Sequence, residues 1–118
     1  MPIYLDCNAT TPLEPAVRDV LMQFLAEDCG NEGSRTHVFG TRAKQLVQHA
    51  REQVAAVVGA QRDEVLFTSG ATESNNLALR GLAQTGLETG RRHVITTTIE
   101  HKATLEPCEQ LEHLGFLV

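Results

Sequence analysis

The residues best suited to chemistry lie at a tight turn in the middle of the chain. Ser69-Gly70-Ala71-Thr72 follows an apolar segment, residues 65–67, and leads into a predicted helix. A helix N-terminus has unpaired backbone N–H groups and a partial positive charge, so it attracts phosphate. Small residues at Gly70 and Ala71 let an anion approach the backbone, and the Thr72 hydroxyl can donate a further hydrogen bond. Ala71 and Thr72 are therefore candidates for an anion site.

A simpler interpretation of Thr72 is that its hydroxyl only caps the helix, which is the usual role of threonine at such a position. The turn matches neither the phosphate-binding P-loop nor the glycine-rich dinucleotide fingerprint. On spacing alone, the capping interpretation is the more economical of the two.

A second candidate is His101, which follows a β-branched segment, residues 93–97. In a parallel sheet, the loops that leave the carboxyl ends of the strands share one edge, where ligands bind. His101 is then expected on the same edge as the Ser69–Thr72 turn. An imidazole can stack on a flat ring and can transfer protons near neutral pH. The alternative is an ordinary surface histidine.

Apolar residues at three- and four-residue spacing predict the helices that position these residues. The first helix contains Val17, Val20, Leu21, Phe24 and Leu25, with Pro15 in its first turn, and the second contains Ala43, Leu46, Val47, Ala50, Val54, Val57 and Val58, with Gly59 at its end. A third helix is predicted from near Thr72 to between Gly81 and Gly86, and a fourth contains Leu105, Cys108, Leu111 and Leu114, with Pro107 in its first turn.

Three short apolar segments predict strands at residues 65–67, 93–97 and 116–118. Strands that alternate with helices are typical of an α/β fold with a parallel sheet. The third segment has only the first residues of a strand, so we expect an incomplete sheet from a truncated chain. Both helical stripes then lack full apolar cover, and we expect the isolated chain to fold poorly or to aggregate.

Composition excludes several classes of protein. The chain has 118 residues, 42% hydrophobic and 21% charged, which is typical of a globular domain. A net charge of −5 without a basic cluster argues against direct nucleic-acid binding. No run of apolar residues is long enough for a membrane span, and the N-terminus does not resemble a signal peptide, so we expect a cytoplasmic protein with no membrane contact. Three cysteines without a CxxC pair, and scattered histidines, predict no disulfide framework and no metal.

Four segments together resemble the group I cysteine desulfurases. Residues 67–78, FTSGATESNNLA, are similar to the turn that binds the phosphate of pyridoxal phosphate (PLP), and residues 100–103, EHKA, to the segment with the cofactor-stacking histidine. Residues 4–12 resemble the N-terminal signature of the family, and Gly30-Asn31, Ser34, His37 and Gly40 match its GNPSSxHxxG loop. The four segments occur in the family order and cover essentially the whole chain.

This resemblance implies part of the large parallel-sheet domain of a fold-type I PLP-dependent transferase. It assigns residues 1–12 to an N-terminal arm and residues 13–118 to the PLP-binding domain. Ala71 and Thr72 would contact the cofactor phosphate, and His101 would stack on the pyridine ring and transfer protons. The implied enzyme is a homodimer that converts L-cysteine to L-alanine and passes persulfide sulfur to an acceptor protein. Iron–sulfur assembly, tRNA thiolation and DNA sulfur modification stay open as pathways.

Some family features are absent or altered. Glu32 stands where the family usually has proline, and Cys7 occupies a variable position of the N-terminal signature. Neither Lys44 nor Lys102 matches the lysine that binds the cofactor. That lysine, the aspartate facing the pyridine nitrogen and the persulfide-forming cysteine would all lie further along a longer chain. We therefore expect the 118 residues alone to be inactive.

Two other hypotheses remain. The chain could belong to a related PLP enzyme, such as a selenocysteine lyase or an aminotransferase of the same fold. It could also be a non-catalytic fragment that binds a partner chain, since it has no cofactor lysine. The Ser-Gly-Ala-Thr-Glu-Ser and Glu-His-Lys-Ala segments favour the cysteine desulfurase over the first of these.

Overall fold

Four α-helices and one short 3-10 helix form the regular structure of residues 2–118, which the computed structural model describes. The helices are α1 (Pro15–Glu27), α2 (Val38–Val58), α3 (Ala71–Thr89) and α4 (Lys102–His113), and the 3-10 helix is Arg62–Glu64. The chain divides after Val65 into two units. The first unit contains α1, α2 and the 3-10 helix, and the second contains α3 and α4.

Both predicted helices of the first unit are confirmed. Pro15 lies in the first turn of α1, where its missing N–H would have had no helical partner. The N-cap of α2 is His37, whose Nδ1 accepts a hydrogen bond from the Gly40 N–H at 3.2 Å. At the other end Gly59 has a φ of 68°, a left-handed conformation that glycine adopts without strain. The predicted stop at Gly59 is therefore correct.

The loop between α1 and α2 packs closely against the start of α2. Asn31 folds it, because its Oδ1 accepts from the Gly33 N–H at 2.8 Å and its carbonyl oxygen accepts from the Ser34 N–H at 3.0 Å. A Cβ added to Gly40 would lie 2.6 Å from the Ser34 Cβ and closer still to the Ser34 carbonyl oxygen. The glycine is thus required for the loop and the helix to approach each other.

The core of the second unit joins α3, α4 and the end of the chain. Ala83, Leu111 and Phe116 are buried together, and Leu79, Leu87 and Val94 pack against them. A Cβ on Gly86 would lie 2.9 Å from Cε1 of Phe116, so this glycine lets the aromatic ring rest on α3.

The predicted end of α3 between Gly81 and Gly86 is wrong. The helix continues to Thr89 and ends at Gly90, whose φ is 74°. Gly86 serves packing against Phe116 rather than helix termination, and a Cβ on Gly81 would meet no atom within 4 Å. A glycine within a helix costs only about 1 kcal/mol relative to alanine, which neighbouring turns and packing can offset.

The fourth helix begins earlier than predicted. It starts at Lys102 because His101 caps it, so Pro107 falls in the second turn rather than the first. Pro107 has no N–H to donate to the carbonyl oxygen of Ala103, one turn earlier. The proline ring is fully buried. Its burial offsets the missing hydrogen bond, and the helix passes through it.

The predicted strands do not form as strands within residues 2–118. The sole β-type pairing described there is an isolated parallel bridge between His93 and Leu117. In this bridge the Val94 N–H donates to the Leu117 carbonyl oxygen at 2.8 Å, and the Leu117 N–H donates to the Arg92 carbonyl oxygen at 2.7 Å. A strand needs a neighbour along its length, and these segments have one residue pair between them. The parallel sheet is therefore not confirmed.

The segment predicted as a buried strand at residues 65–67 is also largely exposed. Leu66 is 68% exposed and Phe67 is 48% exposed. The sequence pattern identified the segment as apolar correctly, but two of its three residues are exposed.

Apolar exposure is most marked on α1, which has no buried residue. The side chains predicted to form its apolar stripe are all exposed: Val17, Val20, Leu21, Phe24 and Leu25.

Among residues 2–118, no helix has both the length and the apolar character needed to cross a membrane.

Candidate functional site

The turn that precedes α3 is held by the side chain of Glu73. Its Oε2 accepts from the Ser69 backbone N–H at 2.6 Å and from the Ser69 hydroxyl at 2.7 Å. These two bonds favour the ionised carboxylate and lower the pKa of Glu73 from its ordinary value, the backbone bond being the larger cause. Ser69 is thus fixed to the first turn of the helix.

A second group of hydrogen bonds fixes the backbone at Gly70. The hydroxyl groups of Thr68 and Ser74 lie 2.7 Å apart, and each lies 3.2 Å from the Gly70 carbonyl oxygen. One hydroxyl donates to the other, which donates to this carbonyl. The Ser74 N–H also donates to it at 3.1 Å, as the first bond of the helix. The turn therefore keeps its shape through its own side chains.

Several donors at this helix start stay unused. Gly70 is the N-cap of α3, so Thr72 is the second helical residue and not the cap. Within residues 2–118, the N–H groups of Ala71, Thr72 and Glu73 and the Thr72 hydroxyl donate no hydrogen bond. The interpretation of Thr72 as a simple N-cap is therefore wrong.

The backbone at Gly70, the N-cap of α3, is open to approach. A Cβ added to Gly70 would have no atom within 4 Å. Unpaired N–H groups at a helix N-terminus, a free hydroxyl and an open approach are what a phosphate group needs. The residues present at Ala71 and Thr72 thus fit the phosphate of the cofactor that the sequence suggests.

His101 lies at the start of the other helix of this unit. It is exposed, and its Nδ1 accepts a hydrogen bond from the Ala103 N–H at 3.1 Å. A nitrogen that accepts carries no proton, so in the neutral ring the proton is on Nε2. The cap thereby fixes one tautomer and leaves the Nε2–H and the ring face available to a ligand.

One side-chain hydrogen bond connects the first turns of the two helices. Asn75 Nδ2 of α3 donates to Thr104 Oγ1 of α4 at 3.0 Å, and both residues are half-buried. The helix that begins at the candidate phosphate turn is thus tied to the helix that His101 caps. Sequence reasoning identified both segments but missed this pair, because the partners are 29 residues apart and neither type signals the other.

The remaining candidate nucleophiles have ordinary surroundings. Lys102 is the exposed first residue of α4. Cys7 and Cys29 are exposed, whereas Cys108 is buried in the second unit. Burial, and secondarily Glu112, raises the pKa of the Cys108 thiol, which disfavours the reactive thiolate. Among residues 2–118, no three His, Cys, Asp or Glu side chains are grouped as metal ligands would be.

The loop that contains Glu32, where the sequence departs from the family pattern, is held to α2 by an ion pair. Glu32 Oε2 lies 3.9 Å from Arg51 Nη1 of α2, and Asp28 forms an ion pair with Arg42. Proline at position 32 would lack the carboxylate of the first pair. Glu32 therefore adds an ion pair between the loop and α2.

Comparison with known proteins identifies the family. The family model described as aminotransferase class-V matches residues 3–118, and the chain belongs to this family. The resemblance to the cysteine desulfurases is confirmed by individual relatives. The chain is 52% identical, over 120 aligned residues, to cysteine desulfurase IscS of Klebsiella pneumoniae, and 50% identical, over 117 residues, to a mitochondrial cysteine desulfurase of Drosophila melanogaster.

Solved structures give the same result. A NifS-like protein superposes with a TM-score of 0.88 at 43% identity over the whole chain. DndA from Streptomyces lividans superposes with a TM-score of 0.79 at 54% identity over 98% of the chain. The chain spans 30% of the Klebsiella protein, 25% of the Drosophila protein and 32% of each solved chain.

Proposed function

We propose that this chain is part of a PLP-dependent cysteine desulfurase. The complete enzyme would convert L-cysteine to L-alanine and retain the sulfur as a persulfide on one of its own cysteines, for delivery to an acceptor protein. The observation that carries the proposal is the identity of 50–52% to curated cysteine desulfurases over essentially the whole chain. The donor set at the start of α3 gives independent support, since it suits a phosphate.

The start of α3 would bind the phosphate group. The N–H groups of Ala71 and Thr72 and the Thr72 hydroxyl would donate to its oxygen atoms, and the partial positive charge of the helix would stabilise its negative charge. When bound, PLP supplies an electron-withdrawing ring that stabilises negative charge on the substrate carbon. The hydrogen bonds from Ser69 to Glu73 hold the backbone in place for this task.

His101 would orient the ring and carry a proton. With Nδ1 engaged by the Ala103 N–H, proton exchange with substrate takes place at Nε2. The planar imidazole can stack on the pyridine ring of the cofactor while its Nδ1 still accepts the hydrogen bond that caps α4. These roles of Ala71, Thr72 and His101 rest on their match to the family motifs and on the free donors described above.

We further propose a homodimer with a parallel sheet in its large domain, to which residues 13–118 contribute and from which residues 1–12 extend as an arm. The parallel direction of the His93–Leu117 bridge supports the sheet. We propose a cytoplasmic location, with L-cysteine and a sulfur-acceptor protein as partners. The mitochondrial relative makes the organelle the alternative location.

The test is to express the longest natural form of the protein and to incubate it with L-cysteine and a thiol reductant. We expect PLP absorbance in the purified protein and equal amounts of alanine and sulfide. Selenocysteine and ordinary amino-acid donors are run in parallel. Activity with selenocysteine alone, or transamination without sulfide, would replace the proposal with one of the related PLP enzymes. A protein without PLP and without turnover would support the partner-binding fragment.

A further inference from the structure

We propose that Asn75 and Thr104 are positioning residues that set the orientation of His101 relative to the phosphate turn. The inference rests on the proposed function, because it concerns how the two parts of that site are held together. Neither residue carries a group that the proposed chemistry uses. Their importance follows from where their single hydrogen bond lies in the second unit.

The bond joins the helix starts rather than the helix bodies. Asn75 is the fifth residue of α3 and Thr104 is the third residue of α4. One turn before Asn75 lie the free N–H groups of Ala71 and Thr72, and three residues before Thr104 lies His101. If one helix start moved relative to the other, the distance between His101 and the N–H groups of Ala71 and Thr72 would therefore change.

Apolar packing fixes the helix starts less precisely than this bond does, although Ala103 is buried in the first turn of α4. The buried group of Ala83, Leu111 and Phe116 lies toward the later turns of both helices. Apolar contacts are non-directional and tolerate small shifts, whereas a hydrogen bond of 3.0 Å fixes both distance and angle. The half-buried setting also limits competition from water.

Hydrogen bonds at each helix start connect the Asn75–Thr104 pair to His101 and to the phosphate turn. Thr104 donates its own N–H to the His101 carbonyl oxygen at 2.8 Å, so the residue that receives Asn75 is bonded directly to His101. On the other side, the Ser74 N–H and hydroxyl lie against the Gly70 carbonyl, immediately before Ala71. Thr104 is thus bonded to the backbone of His101, and Asn75 follows Ser74, which is bonded to the residue before Ala71.

The experiment compares Thr104→Val with Thr104→Ser and with a matched control, Thr89→Val, in the PLP-bound holoenzyme that contains this segment. Valine keeps the shape of threonine but removes the hydroxyl, whereas serine keeps the hydroxyl. Thr89 lies in the last turn of α3, where its hydroxyl donates to the Thr85 carbonyl oxygen. The readouts are circular dichroism in the cofactor absorption band, kcat and KM for L-cysteine, and the dissociation constant of PLP.

We expect Thr104→Val to change the cofactor dichroism and to lower kcat roughly two- to tenfold, the range that the loss of one hydrogen bond gives. KM and the PLP dissociation constant should change less than kcat, because the phosphate donors themselves are intact. Thr104→Ser should restore the wild-type dichroism, and Thr89→Val should resemble the wild type. Asn75→Ala should reproduce the effect of Thr104→Val, and the double variant should be no worse than either single variant.

Two results would overturn the inference. In one, Thr104→Val leaves dichroism and kcat unchanged. In the other, Thr104→Ser fails to restore them, which would assign Thr104 to packing alone. A wild-type protein that binds no PLP would instead remove the proposed function, and this outcome is visible before any variant is made.

Discussion

Ser34 and Gly40 are in such close contact that no side chain fits between them. A Cβ at position 40 would lie 2.6 Å from the Cβ of Ser34. The contact closes the loop of residues 30–34 onto the first turn of α2. This spacing of serine, histidine and glycine is part of the motif that resembles the family, and the structure gives it a local physical reason.

Gly40→Ala should therefore destabilise the protein by roughly 1–3 kcal/mol, the usual cost of overpacking a close contact. The matched control is Gly81→Ala, where an added Cβ meets open space within α3. That change should stabilise by about 0.5–1 kcal/mol, because alanine loses less conformational entropy in a helix. Denaturant unfolding of the holoenzyme measures both. Equal effects of the two substitutions would contradict the close contact.

Thr72→Val should weaken PLP binding about ten- to a hundredfold, since a hydrogen bond to a charged group contributes roughly 1.5–3 kcal/mol. Dialysis against a series of PLP concentrations, followed by absorbance, measures the dissociation constant. Thr89→Val removes a hydroxyl from the opposite end of the same helix and should leave the constant unchanged. If both variants retain PLP equally well, Thr72 does not contact the phosphate.

His101 has a capping role and a proposed ring-stacking role, and two substitutions separate them. His101→Ala removes both, so we expect a loss of about 1 kcal/mol of stability together with a changed PLP spectrum and slower turnover. His101→Asn restores a side chain that caps helices well, but it has no ring. It should recover the stability and leave the spectrum altered. A normal spectrum and normal turnover in His101→Asn would limit His101 to capping.

Glu73 should make stability depend on pH in a defined direction. Its pKa in the folded protein is below the ordinary value of 4.5, so its contribution is fully present above that value and is lost as pH falls through the lowered folded value. The difference in melting temperature between wild type and Glu73→Gln should thus be largest above pH 4.5 and shrink in more acidic buffer. Glu88→Gln, at the far end of α3, serves as the control. A difference that is constant with pH would contradict the Ser69–Glu73 bonds.

The 118-residue chain by itself should self-associate. The apolar side chains of α1, including Val20 and Leu25, are exposed, as are Leu66 and Phe67. Exposed apolar side chains of this kind promote association in water. Sedimentation velocity and thermal unfolding of the isolated chain provide the measurement. A single monomeric species with a cooperative melt would show that this surface is tolerated.

The helices were predictable where the signal is local. Apolar spacing with Pro15 at the start identified α1, and apolar spacing with Gly59 at the end identified α2. The end of α3 was not predictable, because Gly81 and Gly86 are the same residue type and only contact with Phe116 distinguishes them. Strand formation depends on pairing with distant segments, which a single sequence does not reveal.

The candidate site also combines features that the sequence indicates with one that it does not. A small-residue turn before a helix located Ala71 and Thr72, and the unused donors found there are local consequences of helix geometry. The Ser69–Glu73 bonds could have been predicted from the four-residue spacing of the two residues. The bond between Asn75 and Thr104 was not, since it arises only when α3 packs against α4.

The packing of the Phe116 ring against Gly86 also affects how the second unit can form during synthesis. Its ring completes the core with Ala83 and Leu111, and it is the third residue from the end of the described segment. While the ribosome still holds Phe116, α3 and α4 lack this aromatic cover. The first unit lies ahead of it in the chain and can pair α2 with the 3-10 helix much earlier. Translation thus delivers the two units in sequence, with the proposed phosphate turn made before the core that supports it.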